Sequence, residues 1–195
     1  MPENKDFIKN MELLAYHDLD EKPGFQMAMQ RAHGRWYLYV TGRAISGWHI
    51  LDVTEPSRPR YVQFLNGPPN TGTIKIQVAD GIMVTTMQGE VEGIYIWDVK
   101  EDPENPRFLA HWSTGESSGS THRFFYAGGR YVHLTSTCKG FAGRIYRIID
   151  IIDRRNPVEV GRWWRQDQWL PGYNPVEREA YLKSQKLTCL SRSGS

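Results

Sequence analysis

Cysteine is nearly absent from this chain: Cys138 and Cys189 are the only two in 195 residues, too few to staple a fold. They lie in segments of different character, which suits a reduced, cytoplasmic protein better than a disulfide scaffold. Long apolar runs are missing too. No stretch approaches the ~20 residues of a membrane-spanning helix, and the opening MPENKDFIKNMELL mixes charges from its third residue, without the apolar core of a signal peptide. The expectation is a cytoplasmic chain with no membrane partner. Charge of one sign is not in excess: 24 Lys plus Arg stand against 22 Asp plus Glu, a formal +2, with no long block of either. That balance gives no electrostatic basis for binding nucleic acid. Nor is there a GxSxG, P-loop, dinucleotide fingerprint or CxxC, so the reactions those motifs serve have no signature here.

What the chain does have is turn formers and aromatics. Eighteen Gly, eleven Pro and seven Trp, with aromatics at 12%, suit a β-rich domain with many tight turns. At this length a single domain with a real core is the starting assumption. One pattern then recurs in GWHILDVTEPSRPRYVQFL, GIYIWDVKEDPENPRFLAHW and GRIYRIIDIIDRRNPVEVGRW. Each is an apolar strand ending in Asp52, Asp98 or Asp150, followed seven or eight residues later by Pro59, Pro106 or Pro157. Proline lacks an amide hydrogen and fixes φ, so it ends the ladder and sets a turn before the next strand. The aspartate suits an Asx turn, accepting backbone amides, and this structural role is preferred to catalysis for all three. Upstream of each unit lies a second strand pair split by a glycine turn: FQMAMQRAHGRWYLYVT, TIKIQVADGIMVTTM and THRFFYAGGRYVHLT. Four strands per ~40–50 residues make a propeller blade, which must stack on neighbours to cover its faces. The blades run over about 25–65, 73–112 and 121–164.

The strings HILDVTEPSRP and YIWDVKEDPENP resemble the LVIVD repeat, a propeller repeat distantly similar to the selenium-binding protein and methanethiol oxidase group. The resemblance spans about residues 11–165 and is specific for fold rather than function. Trp97-Asp98 alone matches a WD repeat, and the third unit departs from the pattern by placing Arg147 where its neighbours carry apolar or aromatic residues.

Three blades cannot close a ring that needs about four to eight. MELLAYHDLD aligns with an outer strand over 11–19, one that a closing blade would borrow. The expected fold is therefore an all-β partial propeller over 1–165, a natural product or a piece of a longer one, and its open blade edges invite self-association. The tail, 166–195, leaves the pattern: Asn174-Pro175 is a helix start, giving a short helix over 175–186.

Candidate site residues cluster where the outer strand of one blade crosses to the inner strand of the next. His17 precedes the first inner strand and His122 opens the third, and imidazole is a common metal ligand. In the resembling group, histidines around the channel hold a metal, which implies a His-coordinated transition metal here. Two ligands are short of the three or four that a zinc-type centre needs, so others would come from elsewhere. Asp18 is placed to orient His17, and Arg123 to fork onto an anion on the side of its strand opposite His122. The loop NGPPNTGT offers Asn70, Thr71 and Thr73 to a ligand. His33, His49, His111 and His133 share no spacing and read as structural. Two functions follow: a binding module recognising a small molecule or protein on its loop face, or a metal-dependent enzyme, oxidoreductase-like, acting on a small organic or sulfur compound. The first is preferred.

Overall fold

The computed structural model describes residues 10–42, 44–115 and 121–170, with 176, 179, 180 and 183. Three four-stranded antiparallel sheets make up almost all of it. Blade one holds β1 (Gly24–Ala32), β2 (Arg35–Gly42), β3 (Gly47–Asp52) and β4 (Arg60–Asn66). Blade two holds β5 (Thr71–Ala79), β6 (Ile82–Gly89), β7 (Gly93–Asp98) and β8 (Arg107–Trp112). Blade three holds β9 (Thr121–Phe125), β10 (Tyr131–Thr137), β11 (Arg144–Asp150) and β12 (Val158–Trp163). Within each sheet the strands lie in chain order, the meander of a propeller blade. The sheets do not close into a ring. One 3-10 turn, Gln166–Gln168, follows β12. Most of the helix expected over 175–186 lies outside the described residues.

Local chemistry explains the meander. His33 and Gly34 join β1 to β2 with φ of 51° and 79°, and Asp80 and Gly81 join β5 to β6 with 52° and 72°. Positive φ at both central residues gives the turn whose twist matches its flanking strands. Between the third and fourth strands the Asx turns form as expected. Oδ1 of Asp52 accepts the Thr54 amide at 3.0 Å, that of Asp98 the Lys100 amide at 2.9 Å, and that of Asp150 the Ile152 amide at 2.9 Å.

Burial follows position in the stack. Blade two is covered on both sides, so β6 is buried at six successive residues, Ile82 to Met87. Ile82, Val84, Ile94 and Ile96 pack with Val132, Leu134 and Ile149 of blade three, while Met83, Met87 and Trp97 pack with Tyr37, Tyr39, Trp48 and Ile50 of blade one. Blade three is covered on one side only, and β10 alternates buried and open residues accordingly. Arg147 faces blade two: its guanidinium lies 4.6 Å over the Trp112 ring and donates to Thr137 O at 2.9 Å and Glu159 at 2.5 Å. A cation fits the apolar position because it has a ring to stack on and acceptors within reach.

The two blade interfaces differ at their outer, lower edge. Between blades one and two, the Tyr39 hydroxyl donates to Pro103 O at 2.9 Å, Arg60 pairs with Glu104, and the Gln63 amide reaches Asn105 at 3.0 Å. In register, Tyr39 corresponds to Val84, Arg60 to Arg107 and Gln63 to Ala110. None of these three ties recurs between blades two and three, where a groove of about 600 Å³ opens instead.

Candidate functional site

The first strands of the blades lie side by side, and their upper ends carry most of the sequence candidates. Thr73 does not face open space. Its hydroxyl donates to Gly47 O at 2.8 Å and accepts the Gly47 amide at 3.0 Å, which bolts β5 to β3 across the blade interface. Thr71 donates to Pro69 O at 2.9 Å and accepts the Val91 amide at 3.2 Å. Asn70 sits at φ 50° and donates to Glu90 at 2.8 Å. The loop is thus built rigid by its own polar groups, with both threonines buried.

His17 is positioned otherwise than its place before β1 suggested. Its ring stacks on Tyr61 of the outermost strand β4, with centroids 5.2 Å apart and planes 16° from parallel, and its Nδ1 accepts the Leu19 amide at 2.9 Å. Asp18 lies 3.9 Å from that nitrogen but accepts the Asp20 amide at 3.0 Å. Residues 11–19 join no sheet, and Ala15, His17 and Leu19 are half-buried against blade one while Met11, Leu13, Leu14 and Tyr16 are exposed.

His122, in contrast, belongs to the innermost strand β9. Burial pushes its imidazole below the ordinary 6.5, and Arg144, Arg123 and Lys75 push the same way. The ring is therefore neutral at pH 7. Phe124, two residues on, packs toward blade two, so Arg123 takes the opposite side of the strand. There it lines a shallow cavity of about 230 Å³ with Phe125, His133, Thr135 and Tyr146.

His17 and His122 have separate surroundings, the first stacked on Tyr61 of the outer strand β4 and the second within the inner strand β9. Among the described residues no three His, Cys, Asp or Glu side chains lie together as a metal site. Among the described residues, then, neither His17 nor His122 gains the further ligands that a zinc-type centre needs. The remaining histidines are engaged within the sheets: His33 with Lys100 O at 2.9 Å, His49 with the Tyr61 hydroxyl at 3.1 Å, His111 with Glu92 O at 2.5 Å and His133 with the Tyr146 hydroxyl at 2.6 Å.

Sequence reasoning passed over Lys75 and Arg144, which share with Arg123 the charge around His122. Their signal was weak, since the three cations come from three strands, β5, β9 and β11, of two blades. It also passed over the lower groove, lined by Ile82, Asp98, Arg107, Leu109, Ile152, Asp153, Arg154 and Arg155. The signal for that one was present, in the contrast between EDPENP and IDRRNP at equivalent turns. No helix among the described residues is long and apolar enough to cross a membrane. No family model matches the chain, and no curated protein matches it. Its own architecture therefore characterises it: an all-β protein built of repeated four-stranded blades, arranged as part of a propeller.

Proposed function

We propose that the chain is a propeller binding module of the LVIVD-repeat type that holds a negatively charged group of a small molecule at the upper ends of its inner strands. The repeat assignment rests on the Asp-to-Pro turn recurring in all three blades. The binding assignment rests on one observation: the charges of Lys75 on β5 and Arg123 on β9, neighbouring inner strands of two blades, both reach His122 and, after its burial, act on its ionisation. Like charges on the neighbouring strands β5 and β9 favour an anion that neutralises them, and Arg123 offers a planar fork to a carboxylate or phosphate. The loop carrying Asn70, Thr71 and Thr73 forms a rigid neighbour to this surface.

Calorimetric titration with sulfate, which keeps its charge across the pH range, tests the reading. Binding is expected in the wild type and roughly tenfold weakening in Lys75→Glu and Arg123→Glu. It should also tighten as the pH falls below the lowered pKa of His122 and the ring gains a proton. Sulfate affinity indifferent to both substitutions would overturn the proposal.

A further inference from the structure

We infer that the groove between blades two and three is a second site, for an organic anion with an apolar body, and that Arg107 and Arg155 hold its charged group. The inference is independent of the upper-rim reading, because the groove lies at the opposite ends of the strands.

The argument is a comparison of two interfaces built from the same repeat. In blade two the turn after β7 is held by Asp102, which accepts the Glu104 and Asn105 amides at 3.1 Å each and the Asn105 side chain at 2.9 Å. In blade three Asp153 does the same work, accepting the Arg155 amide at 2.9 Å and the Asn156 side chain at 2.7 Å. From Asp102 and Asp153 onward the turns correspond residue for residue, DPENP against DRRNP, so Arg155 stands where Glu104 stands. Glu104 closes the first interface by pairing with Arg60. At the second, Arg60 is replaced by Arg107, and the position facing it carries a second positive charge.

The other ties are gone as well. Val84 has no hydroxyl to give to the turn, as Tyr39 does, and Ala110 has no amide to reach across, as Gln63 does. Arg107 keeps one carboxylate neighbour, Asp98 at 2.6 Å, while Asp153 is spent on its own turn. Three arginines line the groove against these two aspartates. Arg154 donates one nitrogen to Ile151 O at 2.9 Å. Between the charges lie Ile82, Leu109 and Ile152, the last 67% exposed. A groove lined by both cations and aliphatic side chains favours a carboxylate or phosphate monoester carrying an aromatic or aliphatic group.

Phenyl phosphate is the probe, with inorganic phosphate as its apolar-free counterpart, titrated into the full chain and followed by backbone amide NMR shifts. Phenyl phosphate should shift the amides of Arg107, Leu109, Ile152 and Arg155, and bind more tightly than phosphate. Arg155→Glu, which restores the arrangement of the first interface, should fold, weaken phenyl phosphate roughly tenfold and raise the melting temperature. Arg58→Glu, a charge change in the turn of blade one, should leave binding unchanged. Equal affinity in the Arg155→Glu protein, or no shift at these amides in the wild type, would overturn the assignment. Loss of phenyl phosphate binding in Arg123→Glu but not in Arg155→Glu would do so too, because it would place the ligand at the upper rim.

Discussion

Asp52 is held by Arg35 from β2 and by Arg60 from β4, Asp98 by Arg107 from β8, and Asp150 by Arg130 from just before β10. The aspartate is fixed in the repeat while its counter-ion changes strand. Burial opposes ionisation of Asp52, but hydrogen bonds from Thr54, Arg35 and Arg60 outweigh it and hold the carboxyl far below its usual range. Asp98 shows the same balance with Arg107 and the turn amides, and the Arg130 hydrogen bond leads the lowering at Asp150. Groups whose folded pKa is depressed stabilise above the unfolded value of about 3.8 and lose that contribution as pH falls through the folded values. Urea unfolding at a series of pH values should therefore show stability declining below about pH 4. Asp52→Ala should remove about 2 kcal/mol, and Asp98→Ala less, since only one arginine is stranded. A flat acid profile, or the reverse ranking, would contradict the paired-aspartate account. The Asx role was legible in the sequence because it is local: donor and acceptor lie two residues apart. The arginine partners were not, because they sit on whichever neighbouring strand the register brings alongside. The threonine hydroxyls were hidden for the same reason, Thr73 finding its partner at Gly47 in another blade.

Strand starts place a second kind of demand on the chain. Gly93 opens β7 at φ 99°, and a Cβ there would collide with the Trp112 carbonyl of β8; Gly47 opens β3 at φ 145° against Leu65 in the same way. Gly72, in β5, has ordinary φ and nothing closer than 3.5 Å to an added Cβ. Gly93→Ala should then lower stability by roughly 2 kcal/mol and Gly72→Ala by little, as read from thermal unfolding. Equal effects would refute the close-approach argument. At this scale the sequence was informative: glycine hairpins and proline turns marked the strand pairs, because both act through the backbone of a few adjacent residues. Residues 11–19 were harder. Their pattern suits an outer strand, yet a strand is defined by its partner, and none of the described strands pairs with them. Likewise, the proximity of His17 to β1 in sequence did not carry over to the axis, because its ring is drawn to Tyr61 on the far side of the sheet.

Among the described residues, the sides of blades one and three turned away from blade two are only partly covered. On blade three Phe125 is 60% exposed, and Tyr146 and Ile148 alternate with the Arg147 and Ile149 that face blade two. These open positions stand in the register that Ile94 and Ile96 use to meet blade three. On blade one His49 and Leu51, in the register that Tyr95 and Trp97 use to meet blade one, are buried, and the open side instead presents Met27 and Met29 of β1. A second copy can thus stack on the first through these exposed apolar side chains. Light scattering after size exclusion should show mass rising with concentration, and Phe125→Glu should suppress the rise. A monomer throughout, at roughly tens of micromolar, would end this idea. Within the chain, the two apolar clusters share no residue, and neither draws on both terminal blades. The molecule is in this sense a short one-dimensional array, whose members feel only their nearest neighbours. Such an array frays from its ends: blade three can open while the first two stay paired, and anything that clamps it, whether a copy on its face or an anion in its groove, acts as an end cap that blade one feels only at second hand.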